Sequence, residues 1–147
     1  MKFNYTPLRD LTTPRGVSRK IVRMPLLGVR LSYEDKHTDI VGLIDTGAID
    51  CLFDQDVAED LGIEIRNTPT QRDYYFGLDG VSLIGYIHKV GFRLQKFSEW
   101  IEIEAGFLEC KLPFQLLGQS GFFDNYEVNM KRFRGKFEIK SRTFLNT

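Results

Sequence analysis

The chain has 147 residues, 42% of them apolar and 13% aromatic, which is enough for one ordinary core and short for two, so a single domain is expected. Lys plus Arg equals Asp plus Glu at 20 each, so no global field draws in nucleic acid or an anionic membrane, and neither is expected as a partner. No apolar stretch approaches the roughly 20 residues that cross a bilayer, and the opening MKFNYTPLRDLTTPRG lacks the apolar segment of a secretory signal; a soluble, cytoplasmic protein is the expectation.

In chain order, residues 1–19, with Pro7, Pro14 and Gly16, read as an extended N-terminal arm, which leaves 20–147 as the domain. Strand signals then recur as IVRMPLLGVRL, TDIVGLI, VSLIGYIHKVGFRL, WIEIEAGFL and FEI, several alternating and all bounded by Gly, Asp or Asn, so the class is mostly β. One short helix is predicted after TDIVGLI: Asp54 caps it, Val57, Ala58 and Leu61 have helical spacing, and Gly62 stops it. A second is expected to start near Ser120 and to include Phe122 and Phe123. In YYFGLDGVSLIGY, Asp79 and Gly80 form a hairpin-turn pair, with Gly77 and Gly85 adding looseness on either side. WIEIE alternates, so Glu102 and Glu104 should face solvent. The tail KRFRGKFEIKSR interleaves basic and aromatic residues, a pattern able to touch nucleic acid. The reading preferred there is a hairpin turned by Arg134 and Gly135, phenylalanines inward and charges outward.

A faint internal echo links the halves: GVRL at 28–31 leads to an apolar strand ending in DTGA, and GFRL at 91–94 leads to FQLLGQSGFF. Cys51 and Cys110 have no metal spacing and are too few for a disulfide framework, so buried free thiols are expected. His37 and His88 lack a ligand pattern and read as surface or strand residues. No metal or cofactor is expected.

The stretch GLIDTGAID stands apart because an apolar run ends on a carboxylate, Asp45. Burying an isolated ionised carboxylate is costly, so such a group is neutralised, paired, or placed where its strain is useful. Asp, Thr and Gly are also ordinary turn residues. Asp45, Thr46, Gly47 and Ala48, preceded by Gly42, Leu43 and Ile44, resemble the active-site signature of aspartic proteases. Leu116, Leu117 and Gly118 resemble the second signature of that family, and LLGQSGFFDNYEV is similar to the cellular, bacterial-type branch of the retropepsin-like proteases. The resemblance spans residues 20 to 140. It implies a closed β-barrel of the acid protease type with one or two short helices, one lobe per chain, acting as an aspartic endopeptidase.

Hydrolysing a peptide bond without a metal or a covalent intermediate needs one group to take a proton from water and another to protonate the carbonyl oxygen. Two carboxylates at close range do both, because they share one proton, as is established for the aspartic protease dyad. No second D-[ST]-G occurs in this chain, so the second aspartate must come from a second copy, in a symmetric homodimer. The resemblance then assigns Asp45, Thr46 and Gly47 to catalysis, with Thr46 bracing the two loops across the dimer. It assigns Ala48, Asp50 and a flap comprising Gly77, Leu78, Asp79 and Gly80 to an extended peptide or protein substrate, with Tyr74, Tyr75 and Phe76 lining the cleft. Gly118 would let the second apolar run pass behind the catalytic loop. Two positions depart from the viral pattern: Ile49 and Gln119 stand where an acidic and a basic residue commonly pair, and both partners are missing together. The alternatives are a noncatalytic dimeric peptide-binding module on the same fold and a general β-barrel interaction domain.

Overall fold

The computed structural model describes residues 1–12, 18–67, 69–77 and 79–142. Its strands are β1 (Lys2–Asn4), β2 (Thr6–Thr12), β3 (Ser18–Met24), β4 (Leu26–Tyr33), β5 (Lys36–Ile44), β6 (Leu52–Phe53), β7 (Gln71–Phe76), β8 (Ser82–Leu94), β9 (Ile101–Leu108), β10 (Gln115–Leu117), β11 (Tyr126–Lys131) and β12 (Lys136–Ser141). One α-helix, α1 (Gln55–Leu61), and a 3-10 turn at Arg132–Arg134 complete the elements. The chain divides into two units, Leu27–Asp124 and the two termini Met1–Leu26 with Asn125–Thr147.

In the first unit six strands close on themselves in the order β4, β5, β10, β6, β9, β8 and back to β4, and β7 is added to β8. Alternation explains which faces turn inward. Leu27, Val29 and Leu31 of β4 and Ile40, Gly42 and Ile44 of β5 are buried, with more exposed residues between them. Phe53, Phe92, Leu94, Ile103, Ala105, Phe107 and Leu117 fill the same interior. Glu102 and Glu104 are exposed, as expected from their alternation in β9. The internal echo has a structural counterpart. Val29 pairs with Leu94 and Leu31 with Phe92 across β4 and β8, while Leu43 pairs in parallel with Leu116 and Ile44 with Leu117 across β5 and β10. Each motif of one half is thus hydrogen-bonded to its echo in the other.

In the other unit, β1 pairs with β12, which pairs with β11, and β2 forms an antiparallel ribbon with β3. Residues 1–19, read from sequence as an arm, supply β1, β2 and the start of β3; Pro14 and Gly16 lie outside the described residues. The β11–β12 hairpin forms around Gly135 at φ 63°, but only Phe137 faces inward. Phe133, expected inside, is 84% exposed, because the 3-10 turn lifts it out of the strand alternation that buries Phe137 and Ile139.

Helix α1 follows its sequence signals. Asp54 Oδ1 accepts from the Asp56 and Val57 amides (3.1 and 3.2 Å), Gly62 closes the end at φ 69°, and Val57, Ala58 and Leu61 are buried. The second helix expected near Ser120 is absent. Residues 119–125 form wide turns, with the Phe123 and Asp124 amides donating five residues back to Gly118 and Gln119 (3.2 and 3.1 Å), and Gly121 at φ 94° cannot belong to a right-handed helix. Both cysteines are free: Cys51 is fully buried, with its thiol pushed up to about 12 by burial, whereas Cys110 is only partly covered. His88 is a buried β8 residue whose Nε2 lies 2.8 Å from the Ile65 carbonyl oxygen.

Asp54 also reaches β10. Its Oδ2 accepts from Gln115 Nε2 (2.9 Å) and the Leu112 amide (3.2 Å), and its own amide donates to Gln115 Oε1 (2.9 Å). Burial pushes this carboxyl up, but the hydrogen bonds from Gln115, Leu112, Val57 and Asp56 outweigh burial and hold it below the ordinary carboxylate range. A depressed folded-state value contributes stability that is complete above the unfolded value of about 3.9 and disappears as pH falls through the folded one. Asp54→Ala should therefore lower unfolding stability at neutral pH by about 2 kcal/mol in a urea titration. That difference from the parent should shrink progressively below about pH 4.

Candidate active site

β5 ends at Ile44, and the chain continues its parallel pairing with β10 for one more step: the Asp45 amide donates to the Leu117 carbonyl (3.0 Å). The chain then turns. The Ala48 amide donates back to the Asp45 carbonyl (3.3 Å), and the Gly47 amide donates to Asp45 Oδ1 (2.9 Å). Asp45 is half-buried, and Thr46 and Gly47 are exposed. The carboxylate is therefore oriented by its own loop and still open on one side.

The residues after β10 clamp this loop from beneath. The Gln119 and Ser120 amides donate to the Ala48 and Ile49 carbonyls (2.9 and 2.7 Å), and Asp50 bridges in parallel to Ser120. Gly118 makes the approach possible. A Cβ there would lie 2.2 Å from the Asp50 carbonyl oxygen and 2.7 Å from that of Ala48, both backbone atoms unable to swing aside. The expectation that Gly118 lets the second run pass behind the loop holds. Gln119, one departure from the viral pattern, braces the loop from within the chain, since its Nε2 donates to the Thr46 carbonyl (2.8 Å). Ile49, the other departure, is 74% exposed on the same loop as the carboxylate.

Asp50, expected at the substrate, is engaged within the chain. Its Oδ2 accepts from the Tyr75 hydroxyl (2.7 Å), which ties strand β7 to the Asp45 loop. Burial, then the Asp50 contact, pushes the Tyr75 phenol up, so it stays a donor. The Tyr75 ring needs two glycines. A Cβ on Gly85 would stand 2.2 Å from its Cε2, and one on Gly106 2.8 Å from its hydroxyl. Gly85, read from sequence as a source of looseness, instead makes room for an anchor. Sequence reasoning placed Tyr75 in the cleft but missed this role; its signal was the pair of strand-interior glycines, which mark close approach.

The β7–β8 hairpin turns as its Asp-Gly pair predicts. The Gly77 amide donates to the Val81 carbonyl (3.1 Å), the Gly80 amide to the Gly77 carbonyl (3.0 Å), and the Val81 amide to Asp79 Oδ1 (3.0 Å), with Gly80 at φ 77°. Gly77, Asp79 and Gly80 thus share one tip, and Leu78 lies outside the described residues. Tyr74 and Phe76, flanking Tyr75, are exposed, as are Val81 at the turn and Leu83 and Ile84 on the return strand.

Neither a protein-family model nor a curated protein matches the sequence. Solved structures do. A retropepsin-like aspartic protease from Rickettsia conorii superposes with a TM-score of 0.56 at 14% identity, over 95% of this chain and 98% of that one. EIAV protease, complexed with the inhibitor HBY-793, gives a TM-score of 0.49 at 16% identity, over 70% of this chain and 88% of that one. The chain has the retropepsin-like fold. Within that fold Asp45 heads the loop at the end of β5, Gly118 follows β10, and the β7–β8 hairpin occupies the chain between them. Among the described residues no helix is long and apolar enough to cross a membrane.

Two substitutions test this architecture. Gly118→Ala should cost about 3 kcal/mol or more in chemical unfolding, because the clash is with backbone. Tyr75→Phe keeps the ring and loses one hydrogen bond, so it should cost about 1 kcal/mol and raise amide exchange in β7 about fivefold without unfolding the barrel.

Proposed function

We propose that the protein is a homodimeric aspartic endopeptidase in which Asp45 of each copy supplies half of the catalytic pair. The observation that carries this reading is the state of Asp45: a half-buried carboxylate oriented by the Gly47 amide on a loop clamped by β10, with the exposed surface of Thr46, Gly47 and Ile49 beside it. A lone copy leaves that surface and the apolar flap residues in water. A twofold partner would cover the first, and an extended peptide would cover the second.

In the proposed reaction a water molecule sits between the two Asp45 carboxylates, which hold one proton between them. The unprotonated carboxylate takes a proton from water as its oxygen attacks the peptide carbonyl carbon, and the protonated one gives its proton to the carbonyl oxygen. The resulting tetrahedral diol collapses: one hydroxyl proton returns to a carboxylate, the C–N bond breaks, and the departing nitrogen takes the other proton, releasing an acid and an amine. Thr46 would brace the two loops, and Gly47 would let substrate pass close. Ala48 with the flap tip, Gly77, Leu78, Asp79 and Gly80, would hold the peptide backbone, and Asp50, whose Oδ2 is held by Tyr75, would offer it Oδ1. No cofactor takes part. Residues 1–19 serve as the N-terminal arm of a protease domain spanning 20–147, and the enzyme works in the cytoplasm.

A second reading, a noncatalytic dimeric peptide-binding module, is favoured by one observation: Ile49 and Gln119 replace the charged pair of the viral pattern, and Gln119 is used as a brace. Asp45→Asn separates the two. It should lower cleavage of a peptide library about 10⁴-fold while sedimentation still shows a dimer. Cleavage at the parent rate would refute the protease, and peptide binding without cleavage in the parent would favour the module.

A further inference from the structure

Zero net charge conceals a division within the chain. Met1–Leu26 with Asn125–Thr147 carries 12 Lys or Arg and 3 Asp or Glu, whereas Leu27–Asp124 carries 8 and 17. The balance that excludes polyanion partners for the whole chain is thus the sum of two opposite imbalances of equal size.

In the basic unit, the excess is densest on the β11–β12 hairpin, where Lys131, Arg132, Arg134 and Lys136 fall within six residues with no acid among them. Arg23 adjoins them: Arg132 Nη1 donates to its carbonyl (2.9 Å), and Ile21, Arg23 and Arg132 line one groove. None of Arg23, Lys131, Arg132, Arg134 and Lys136 forms an ion pair with another described residue. Lys131 and Lys136 are moreover directly opposite each other in the strand register, an arrangement that costs stability. The contacts the cluster does make among the described residues are a hydrogen bond and cation–π contacts: Arg132 lies over the Tyr5 ring at 6.0 Å and Arg134 over the Phe133 ring at 5.2 Å. The apex is apolar as well as basic: Phe133 is 84% exposed, and Ile21 and Met130 are 55% and 39% exposed. The interior of this unit is already filled by Phe137, stacked on Phe3 at 5.4 Å and met edge-on by Tyr5 at 5.6 Å, so Phe133 has no place there.

We propose that the β11–β12 hairpin docks on an anionic lipid bilayer, with Phe133 entering the headgroup layer and Lys131, Arg134, Lys136 and Arg23 facing the lipid phosphates and carboxylates. A single apolar anchor beside a basic cluster is the two-signal arrangement that holds a soluble domain reversibly at a membrane. Single-stranded nucleic acid fits less well. It takes successive aromatic platforms, whereas Phe3, Tyr5 and Phe137 are engaged with one another and the exposed companions of Phe133 are aliphatic.

The test is cosedimentation of the full chain with vesicles of phosphatidylcholine alone and of phosphatidylcholine with phosphatidylserine. Retention only on the anionic vesicles, lost at high salt, is expected. Phe133→Ser should weaken retention about tenfold. Replacing Lys131, Arg134 and Lys136 together by Gln should weaken it about a hundredfold, at roughly fivefold per charge. Thermal melting of Phe133→Ser should match the parent, since that side chain is exposed, and the triple-Gln variant should melt no lower than the parent, because it loses the Lys131–Lys136 repulsion. Equal retention on both vesicle types, no retention, or an unchanged Phe133→Ser variant would overturn the proposal. Displacement from vesicles by a short single-stranded oligonucleotide that binds more tightly would overturn it in favour of nucleic acid. Asp45→Asn should bind vesicles like the parent, so this outcome is independent of whether the chain is a protease.

Discussion

The backbone of Gly118 passes so close beneath the Ala48 and Asp50 carbonyls that no side chain fits between them, and the geometry of the Asp45 loop depends on that contact. With the loop lowered onto β10, the Leu117 carbonyl and the Gln119 and Ser120 amides fall within hydrogen-bonding distance of residues 45, 48 and 49. The loop's inner polar groups are then satisfied by the chain itself. What remains for solvent or a partner is its outer surface: one oriented carboxylate, a threonine, a glycine and an exposed isoleucine. The neutral Gln119 braces the loop from within the chain, and its amide on the Thr46 carbonyl has no charge to lose as pH changes.

β10 is only three residues long, yet both of its ends are secured. Gln115 exchanges two hydrogen bonds with the helix-capping Asp54, and Gly118 fixes the other end against the loop. Helix cap, short strand and loop therefore form one connected support under Asp45. The β7–β8 hairpin is joined to it through Tyr75. Tyr75, seated over Gly85 and Gly106, reaches Asp50, while Tyr74, Phe76 and the tip around Gly80 stay in solvent. The β7–β8 hairpin is thus packed at Tyr75 and exposed at Tyr74, Phe76 and Gly80.

The two units carry opposite charge. A barrel unit rich in carboxylates and a terminal unit rich in lysine and arginine sum to neutrality, and the sum says nothing about either surface. Repulsion between Lys131 and Lys136, and the outward Phe133, are local costs that the packing of that unit does not require.

Much of the fold was legible in the sequence because it rests on local rules. Alternation identifies the strands of the barrel, Asp54 and Gly62 bracket the helix, Asp79 and Gly80 turn the β7–β8 hairpin, and the D-T-G and L-L-G motifs mark the loop and its support. What stayed hidden depends on residues far apart in the chain. That Gln119 reaches Thr46, that Gln115 reaches Asp54, that Tyr75 needs Gly85 and Gly106, and that Gly121 unwinds an expected helix are all set by which backbones come to lie side by side. The exposure of Phe133 is of the same kind, since a 3-10 turn moved it off the strand pattern and Phe137 had already filled the interior. The sequence by itself determined the periodicities, the caps and the presence of one aspartate in an aspartic-protease signature. Only the tertiary structure decided how that carboxylate is oriented and where the charges gather, because both follow from close approach between segments and not from neighbours along the chain.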